Sequence, residues 1–572
     1  MSHTKLLYQY YFEETLVIIT QSWRKPATLL GAAIIASSGI ITGAAPRHIA
    51  HAAPAIPNGG TVIAAEAETP DTLNPYLTQT LSGADIASPV FDSLVYTNPQ
   101  GNFSNDLATS YSHDASGLHW TFNIVHNATW QDGQPLTAKD IVFTTKLDNN
   151  PKFPSTSTQG FDHVQSIKAV GNYQVDVTLK SVYAPFLQYW GTAYILPEHI
   201  LGKVSPDKIK TLTSFNQKPL GSGPFKITDF ASGDHITESA YKNYFRGAPH
   251  LDKIIFRVVP NNNTAINQMQ TGELNLLGQT SSLSARQFNT LKAVPGVTTY
   301  NTPGFNWTHV DLVETGFLKD RTVRQALAYA TPKQQIIKGV NLGYGVVDDA
   351  DQPPTTVYYN PSIKDSYPYN IAKAKSLLAA DGFKIGSNGL LQKGGTPFNL
   401  TLWATSDSSD AKLTIQILKQ SWAQLGVNAT LKTAAASIVF GRSGPLYDPN
   451  RLSSSKMNAV LYEWIQGAEP DDTFFWNSSQ IISSKVAAGG NFDGYSNPEI
   501  DKLTKEGVQT LDKGQREAIY HQIQTILVKD QPDIFIYWGR VLTAATSKLH
   551  GYNPQPYDYV LGWNAKDWYM TS

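Results

Sequence analysis

The chain has 572 residues, which is enough for several domains, and its 45 basic and 46 acidic side chains give a net charge of −1. Neither an excess of positive charge nor a basic block is present, so we expect no nucleic-acid partner. Cysteine is absent, which excludes disulfides, thiolate metal sites and cysteine nucleophiles. The composition is that of a neutral folded protein rather than of a disordered chain.

The N-terminal region has the three parts of a secretory signal. Residues 27–45 are apolar or small, follow two basic residues and precede an Ala-His-Ala sequence at 50–52. This order predicts that residues 1–52 are a signal peptide and that the protein is exported. The alternative is an uncleaved membrane anchor, because the apolar stretch is nearly long enough to span a bilayer. A linker rich in Pro, Ala and Gly follows at 53–60.

The first half of the chain mixes strands and helices. Three segments have the hydrophobic pattern of strands, namely Thr61–Ala67, Leu118–Val125 and Lys253–Pro260. Thr137 and Asp140 have the spacing of a capping box, which predicts that a helix begins there.

The second half is more helical. Cap and stop residues predict helices that cover Thr322–Ala330, restart after Thr331-Pro332, run from Asn370 to Gly382, end at Gly426, begin at Asn497-Pro498 and cover Gln515–Lys529. Short hydrophobic strands alternate with them at Asn458–Tyr462 and Ile534–Trp538. Alternation of this kind predicts an α/β architecture with more than one lobe.

Patterns of catalytic, nucleotide and metal sites are missing from the sequence. Gly221-Ser-Gly223 lacks the third glycine of a phosphate-binding loop and is interpreted as part of a turn. His113, His119 and His126 are spaced by six and seven residues, which matches no usual zinc pattern. We therefore expect no metal, no cofactor and no enzyme activity. The 12 Trp and 28 Tyr residues favour a site for a polar organic ligand, in a binding protein or a secreted hydrolase.

A series of motifs between about residues 60 and 560 carries a family resemblance. In chain order these are Leu73-Asn-Pro75, Val90-Phe-Asp-Ser-Leu94, Asp106-Leu-Ala108, Trp120-Thr-Phe122, Ala128-Thr-Trp-Gln-Asp-Gly133, Pro135-Leu-Thr-Ala-Lys-Asp-Ile-Val-Phe143, Ile195-Leu-Pro-Glu-His-Ile200, Gly221-Ser-Gly-Pro-Phe225, Asn243-Tyr-Phe-Arg-Gly-Ala-Pro249, Asp320-Arg-Thr-Val-Arg-Gln-Ala-Leu327, Ala372-Lys-Ala-Lys-Ser-Leu-Leu378 and Gly494-Tyr-Ser-Asn-Pro-Glu-Ile-Asp501. The chain resembles the extracellular solute-binding proteins of family 5, which include the peptide- and oligopeptide-binding proteins of ABC importers.

The resemblance implies a two-lobe periplasmic-binding-protein-like fold of α/β class, in the large variant with three subdomains (type II). Lobe I would comprise residues 58–303, with an inserted subdomain at about 93–215, and would be completed by residues 541–572. Lobe II would comprise residues 304–540. The ligand would lie between the lobes, and the two crossings near 302–306 and 538–542 would act as hinges.

The implied function is that of the substrate-binding component of an ABC importer. Such a protein captures a peptide or other polar oligomeric solute and delivers it to permease subunits in the membrane, without chemistry. We expect a monomer at the extracellular face of the membrane or in the periplasm. An oligosaccharide ligand is the alternative within the family, and a secreted hydrolase is the alternative outside it.

The predicted site centres on residues 463–471, which match the stretch where peptide-binding relatives hold the ammonium of the peptide with an aspartate. The matching position here is Ala468 or Gly467, and neither is acidic. We therefore expect Glu469 to be the first candidate for the anchor and Asp471 the second, with Trp464 as an aromatic wall. The other predicted ligand-binding residues are Tyr537, Trp538, Trp307, His309, Thr78, Gln79 and Thr80.

Overall fold

A computed structural model describes residues 56–98, 101–156, 160–278, 283–406, 408–441, 444–453, 457–487, 489–554 and 561–572. The predicted signal peptide and most of the linker lie outside these ranges, so cleavage at residue 52 stays a prediction. Among the described helices, none is both long and apolar enough to cross a membrane.

The chain up to residue 296 is built from short strands and seven described helices. The strands are β1 (Thr61–Glu66), β2 (Val95–Thr97), β3 (Phe103–Asn105), β4 (Ala108–His113), β5 (His119–Ile124), β6 (Val164–Ala169), β7 (Gln174–Leu179), β8 (Phe225–Ala231), β9 (His235–Ala240), β10 (Lys253–Val258) and β11 (Leu276–Leu277). The helices are α1 (Leu81–Ala87), α2 (Ala138–Asp148), α3 (Glu198–Leu201), α4 (Pro206–Ile209), α5 (Thr213–Asn216), α6 (Asn262–Thr271) and α7 (Ala285–Lys292).

The remainder contains the two longest strands and the longest helices of the described chain. The strands are β12 (Val297–Leu312), β13 (Val346–Val347), β14 (Lys384–Ile385), β15 (Leu391–Lys393), β16 (Thr396–Pro397), β17 (Asn399–Thr405), β18 (Asn428–Ala434), β19 (Ala459–Ile465), β20 (Asp533–Thr546), β21 (Leu549–His550) and β22 (Tyr569–Met570). The helices are α8 (Arg321–Tyr329), α9 (Lys333–Gly339), α10 (Ile371–Ala380), α11 (Ser409–Ala423), α12 (Ala436–Val439), α13 (Thr473–Trp476), α14 (Pro498–Gln509) and α15 (Lys513–Asp530).

Helix starts follow the capping residues that the sequence predicts. The Asp140 carboxylate accepts from the backbone N–H of Thr137 at 2.9 Å, and the Thr137 hydroxyl accepts from the start of α2, which confirms the capping box. Asn370 accepts from the backbone N–H of Lys373 at 2.9 Å and begins α10. These contacts satisfy amide donors that a helix leaves without internal partners.

One large sheet extends through both lobes. Its order is β18-β17-β19-β12-β20-β11-β1-β10-β9-β8, and β13 pairs with β20 beside this path. The long strands β12 and β20 lie side by side and antiparallel, from the pair Val297–Thr546 to the pair Asp311–Asp533. Their pairing is irregular between Pro303 and Trp307. The predicted lobe boundaries at 303/304 and 540/541 fall in these two strands and stay predictions.

A separate four-stranded sheet of order β4-β5-β7-β6 lies in the predicted inserted region. Its buried face contributes Trp120 and Phe122 to a core that also contains Phe186 and Trp190. The rings of Phe186 and Trp190 stack at 4.9 Å between centroids. This core is continuous with buried residues up to Phe215, so the segment packs as one unit that can support a ligand site at its edge.

The glycine-rich turn at 221–224 is a packing feature. Gly223 donates its backbone N–H to the Val90 carbonyl at 2.8 Å. A methyl group added to Gly221 would lie 1.8 Å from that same carbonyl oxygen, closer than any non-bonded contact allows. The turn interpretation is confirmed, and the absence of a side chain is needed for the close approach of two backbones.

Gly221→Ala is therefore expected to lower the free energy of unfolding by about 1–3 kcal/mol or more, because overpacking displaces the backbone near Val90. The measurement is chemical denaturation followed by circular dichroism. Gly339→Ala is the control, since no atom lies within 4 Å of its added methyl group and alanine favours the helix α9. Equal stability of both variants would contradict this packing role.

Candidate ligand-binding site

A cavity of about 530 Å³ lies where the two lobes meet. Its wall combines residues of lobe I, the lobe II segment 464–475 and the C-terminal segment 562–567. The lining residues are Ser88, Phe91, Asp92, Ser93, Tyr96, Asp106, Gln188, Tyr189, Thr192, Tyr194, Pro224, Tyr244, Arg246, Trp464, Ile465, Gln466, Gly467, Asp471, Phe474, Phe475, Gly562, Trp563, Asn564, Lys566 and Asp567. A pocket of this size, with apolar walls and a few polar groups, is typical of small-ligand sites.

Aromatic rings form two facing parts of the wall. In lobe II, the ring of Trp464 stands perpendicular to Phe475 at 4.9 Å and stacks on Phe474 at 5.8 Å between centroids. In lobe I, Tyr96 packs against Trp563 at 5.7 Å. Trp464 is buried at the end of β19, where its neighbours fix the ring. Rings held in this way offer a rigid apolar surface to a ligand.

Asp471 brings a carboxylate to the lobe II wall. Its Oδ1 accepts from the backbone N–H of Thr473 at 3.0 Å, at the start of α13, and its Oδ2 accepts from the Tyr183 hydroxyl at 3.0 Å. Tyr183 belongs to the core of the inserted region, so this hydrogen bond joins the two sides of the cavity. Burial and the Asp471 charge raise the pKa of Tyr183, which therefore stays a neutral donor. Each carboxylate oxygen can accept a further hydrogen bond.

The lobe I wall carries a second polar group, in which one carboxyl pairs with a cation and the other accepts from a tyrosine. Arg246 donates to Asp106 at 2.9 Å and lies over the Tyr96 ring at 5.4 Å. Tyr244 donates its hydroxyl to Asp92 at 2.7 Å. Burial, together with the nearby Asp106 charge, raises the pKa of Asp92 to about 8. Asp92 is therefore protonated at neutral pH, while Arg246 balances the charge of Asp106.

Glu469, the first predicted anchor, has internal partners. Its Oε2 accepts from the Tyr358 hydroxyl at 3.0 Å and forms an ion pair with Arg516. The same guanidinium donates to the Pro470 carbonyl at 2.8 Å. Glu469 is not among the described residues that line the cavity. The pair instead ties the loop before Asp471 to helix α15.

The structure places Trp307, His309 and Trp538 in the core of lobe II rather than at the cavity. Each is at most 2% exposed, and the Trp307 ring stacks on the His309 ring at 3.9 Å. The indole N–H of Trp538 donates to Asp348 at 2.7 Å. Trp307 pairs with Trp464 across β12 and β19 and so shares its face of the sheet, but Trp307 and Trp538 are buried in the aromatic cluster and are not among the described residues that line the cavity. Tyr537 points to the opposite side of β20 from Trp538 and lines a separate cavity of about 130 Å³.

Thr78, Gln79 and Thr80 form a turn around Asp71 instead of lining the described cavity. The Thr78 hydroxyl donates to Asp71 Oδ1 at 2.6 Å, and the backbone N–H of Gln79 donates to Asp71 Oδ2 at 2.9 Å. Thr80 accepts from the backbone N–H of Gly83 and caps helix α1. Of the ten predicted site residues, the structure brings only Trp464 and Asp471 to the main cavity.

The sequence matches the model of a known protein family. Residues 102–481 match the middle region of the bacterial extracellular solute-binding proteins of family 5. The chain belongs to this family. The match covers more than half of the chain and confirms the predicted family and fold.

Relatives over nearly the full length agree with this assignment. The oligopeptide-binding protein AppA of Bacillus subtilis is 28% identical over 519 residues, which cover 90% of this chain and 92% of AppA. Heme-binding protein A of Haemophilus influenzae is 26% identical over 476 residues, which cover 79% of this chain and 82% of that protein.

Solved structures of relatives share the fold. The structure of AppA from Bacillus subtilis in complex with a nonapeptide superposes with a TM-score of 0.75 at 26% identity, covering 91% of this chain and 100% of AppA. The ABC transporter substrate-binding protein CtaP of Listeria monocytogenes gives 0.77 at 25% identity, covering 90% and 100% of the two chains.

Sequence reasoning missed most of the lobe I wall of this solute-binding protein. Tyr96 and Tyr189 line the cavity and Tyr183 donates to Asp471; all three lie in the predicted inserted region, far from residue 471 in sequence, and only the folded chain brings them to lobe II. Phe474 and Phe475 were visible as an aromatic run that begins three residues after Asp471. That run, beside a candidate anchor, is the signal that could have found them.

The raised pKa of Asp92 predicts a stability that falls as pH rises. The unfolded carboxyl ionises near pH 4, whereas the folded one resists ionisation up to about 8. Its contribution is thus fully present below pH 4 and is lost progressively up to about pH 8. We expect the melting temperature to fall from about pH 5 to about pH 8.5, and the slope to be shallower in Asp92→Asn, in which Tyr244 keeps its acceptor.

Differential scanning calorimetry across this pH range measures the slope. Asp114→Asn is the matched control, because Asp114 is exposed and its pKa is lowered, so its ionisation is complete below this range. The same slope in the unchanged protein and in Asp92→Asn would refute the assignment of a buried, protonated Asp92.

Proposed function

We propose that this protein is the peptide-binding component of an ABC importer, which encloses a short peptide between its lobes and delivers it to a membrane permease. The observation that carries the proposal is a cavity between the lobes with aromatic walls, whose four lining aspartates include Asp471, held at the surface by Thr473 and Tyr183. The volume of about 530 Å³ lies within the range of roughly 300–1,000 Å³ of typical ligand pockets.

Asp471 is the proposed contact for the peptide ammonium. It lies on the cavity wall, its geometry is fixed by Thr473 and Tyr183, and its two oxygens have acceptor sites left for a cation. Glu469 is already paired with Arg516, which is buried, so its charge is balanced within the protein. The order of the two candidates is therefore reversed relative to the sequence prediction.

A peptide ligand is supported by the relatives as well as by the site. AppA, which matches the chain over its full structure, is described by name as oligopeptide-binding and has a nonapeptide bound. Heme-binding protein A shows that other ligands occur at similar identity, so the lining residues decide between them. A charged anchor favours a ligand with an ammonium group over a neutral sugar.

No chemistry is assigned to the site. The family consists of binding proteins, and binding with release requires only contacts that differ between open and closed forms. We propose that the protein is exported and acts as a monomer outside the cytoplasmic membrane, in accordance with the extracellular location of its family.

Asp471→Asn is expected to weaken the binding of a peptide with a free amino terminus by ten-fold or more. Truncating one partner of an enclosed charge pair costs about 2–5 kcal/mol, and each 1.4 kcal/mol is about ten-fold in affinity. Isothermal titration calorimetry with di- to hexapeptides measures the change. The substitution keeps one acceptor oxygen for the backbone N–H of Thr473, and its NH2 group can donate to the Tyr183 hydroxyl, which then accepts instead of donating.

Acetylation of the peptide supplies the matched chemical control. N-acetylated peptides should bind the unchanged protein weakly and should lose little further affinity in Asp471→Asn, because the charge pair is already absent. Glu469→Gln is expected to lower thermal stability more than peptide affinity. If free and acetylated peptides lose affinity equally, the ammonium contact is not at Asp471. Turnover of the peptide would overturn the non-enzyme part of the proposal.

Ligand binding is expected to be coupled to lobe closure through the crossings in β12 and β20. The hydrogen bond from Tyr183 to Asp471 joins the two sides of the cavity without ligand. Tyr183→Phe should therefore increase the radius of gyration of the ligand-free protein in small-angle scattering, and saturating peptide should restore the compact form.

Tyr173→Phe is the control for this experiment. Tyr173 stacks on His126 at 4.2 Å, just as Tyr183 stacks on His163 at 3.7 Å, but the hydroxyl that donates to Asp471 is that of Tyr183. Closure should also change the fluorescence of Trp464 and Trp563, which line the cavity, rather than of the buried Trp307 and Trp538. A radius that is the same with and without tightly bound peptide would remove the closure proposal.

A further inference from the structure

A buried group of one histidine and two aspartates lies in the core of lobe II, apart from the ligand cavity. His309 Nε2 lies 3.0 Å from Asp311 Oδ1 and 3.9 Å from Asp533 Oδ2, and the three donor atoms lie within 4.8 Å of one another. All three residues are at most 3% exposed. His309 and Asp311 come from β12 and Asp533 from β20, so the group bridges the two long strands.

The hydrogen bonds around the group fix which histidine nitrogen is available. Nδ1 of His309 lies 3.2 Å from the Trp307 carbonyl, which can only accept, so Nδ1 carries a proton. In the neutral imidazole the lone pair of Nε2 then points at the two carboxylates. A metal-binding histidine characteristically donates its other N–H to a backbone carbonyl in this way. The Tyr462 hydroxyl donates to Asp311 Oδ2 at 2.9 Å and orients that carboxylate similarly.

Buried oxygens of the group lack partners. Oδ1 of Asp533 and Oδ2 of the neighbouring Asp493 are both buried and have no hydrogen-bond partner among the described residues. The backbone carbonyl of Asp493 accepts from the backbone N–H of Glu314, three residues after Asp311, at 2.8 Å. Arg451 is the nearby cation, but its guanidinium donates to the carbonyls of Phe492, Ile482 and Asn491. Buried carboxylates without such pairing are ordinarily held by a cation.

We propose that His309, Asp311 and Asp533 form a binding site for one divalent cation of the zinc class. Ligand bonds of about 2.0–2.2 Å place donor atoms of a tetrahedral zinc roughly 3.3–3.6 Å apart, which the observed separations bracket. An imidazole nitrogen favours zinc over calcium, which takes six to eight oxygen ligands. Two carboxylates would neutralise the charge of the ion.

The bound cation would hold β12 and β20 together and would take no part in binding the solute. A cation shared by β12 and β20 fixes their register just beyond the irregular crossing at 303–307. The His309 ring also packs against Trp307 at 3.9 Å and Tyr462 at 4.3 Å. The sequence predicted no metal site, because Asp533 lies far from His309 and Asp311 along the chain and the three residues match no metal-binding motif with short spacing. The proposal does not depend on which solute the cavity binds.

The test uses the purified protein, stripped with a chelator and then dialysed free of it. Zinc chloride should bind with one equivalent per chain in titration calorimetry with elemental analysis, and should raise the melting temperature by several degrees, since an ion that binds only the folded state stabilises it. X-ray absorption at the zinc edge should show a nitrogen and oxygen shell with one imidazole. Calcium chloride should give a much smaller shift.

Asp533→Asn and His309→Gln should lose the bound equivalent and the melting shift. His235→Gln is the matched control, because His235 also contacts two aspartates, Asp229 and Asp234, but at the surface, and this variant should keep both. Absence of zinc binding to the unchanged protein overturns the proposal, and so does zinc that Asp533→Asn retains or that His235→Gln loses. If a core variant fails to fold, the stoichiometry and the absorption spectrum of the unchanged protein decide alone.

Discussion

The pairing of β12 with β20 is the constraint on which the rest of the structure depends. These two strands run side by side through the large sheet, with β11 and β1 following at one end and β19 and β17 at the other. The cores of both lobes pack against β12 and β20, so the position of one lobe constrains the position of the other. The register of the pairing shifts between Pro303 and Trp307, where the ladder is interrupted, and again between Thr308 and His309. Bending is therefore expected at the interruption, while each lobe keeps its own core.

The protein buries several carboxyl groups, whose negative charge must be removed by protonation or offset by hydrogen-bond donors and cations. Asp92, Asp351 and Asp472 are all buried, and loss of hydration raises the pKa of each carboxyl. The protein tolerates these groups by protonation, by neutral donors such as Trp476 on Asp351, and at the cavity by Arg246 on Asp106. Among the described residues, no guanidinium donates to the carboxylates of the His309 group. We therefore propose a bound cation at that group and not at the other buried carboxyls.

The helices were predictable because their capping residues act on backbone groups close in sequence. The ligand site was harder to predict because it is formed by residues that lie far apart along the chain. The capping box at Thr137 and the cap at Asn370 act within one helical turn, so sequence alone locates them. Trp307 and Trp538 were expected at the cavity because they lie at the crossings, but the pairing of β12 with β19 and β20 buries both in the aromatic cluster that also holds Trp464. Glu469 was expected as the anchor because no sequence spacing shows that Arg516, 47 residues later, occupies its charge. Trp464 and Asp471 reached the cavity because they lie at the end of one strand and the start of the next helix.

The ion pair that removes Glu469 from the cavity also explains how Asp471 is presented. Arg516 holds Glu469 and the Pro470 carbonyl together, and Tyr520 donates to the same carbonyl at 2.6 Å, so the loop before Asp471 is fixed to α15. The carboxylate then begins α13 with one oxygen on Thr473 and the other towards Tyr183. A ligand ammonium that approaches Asp471 meets a carboxylate already oriented, so little ordering remains for binding to complete. If the ammonium displaces Tyr183, one hydrogen bond between lobes is exchanged for a stronger charge-assisted contact. The affinity then depends on the difference between these two contacts and not on the ion pair alone.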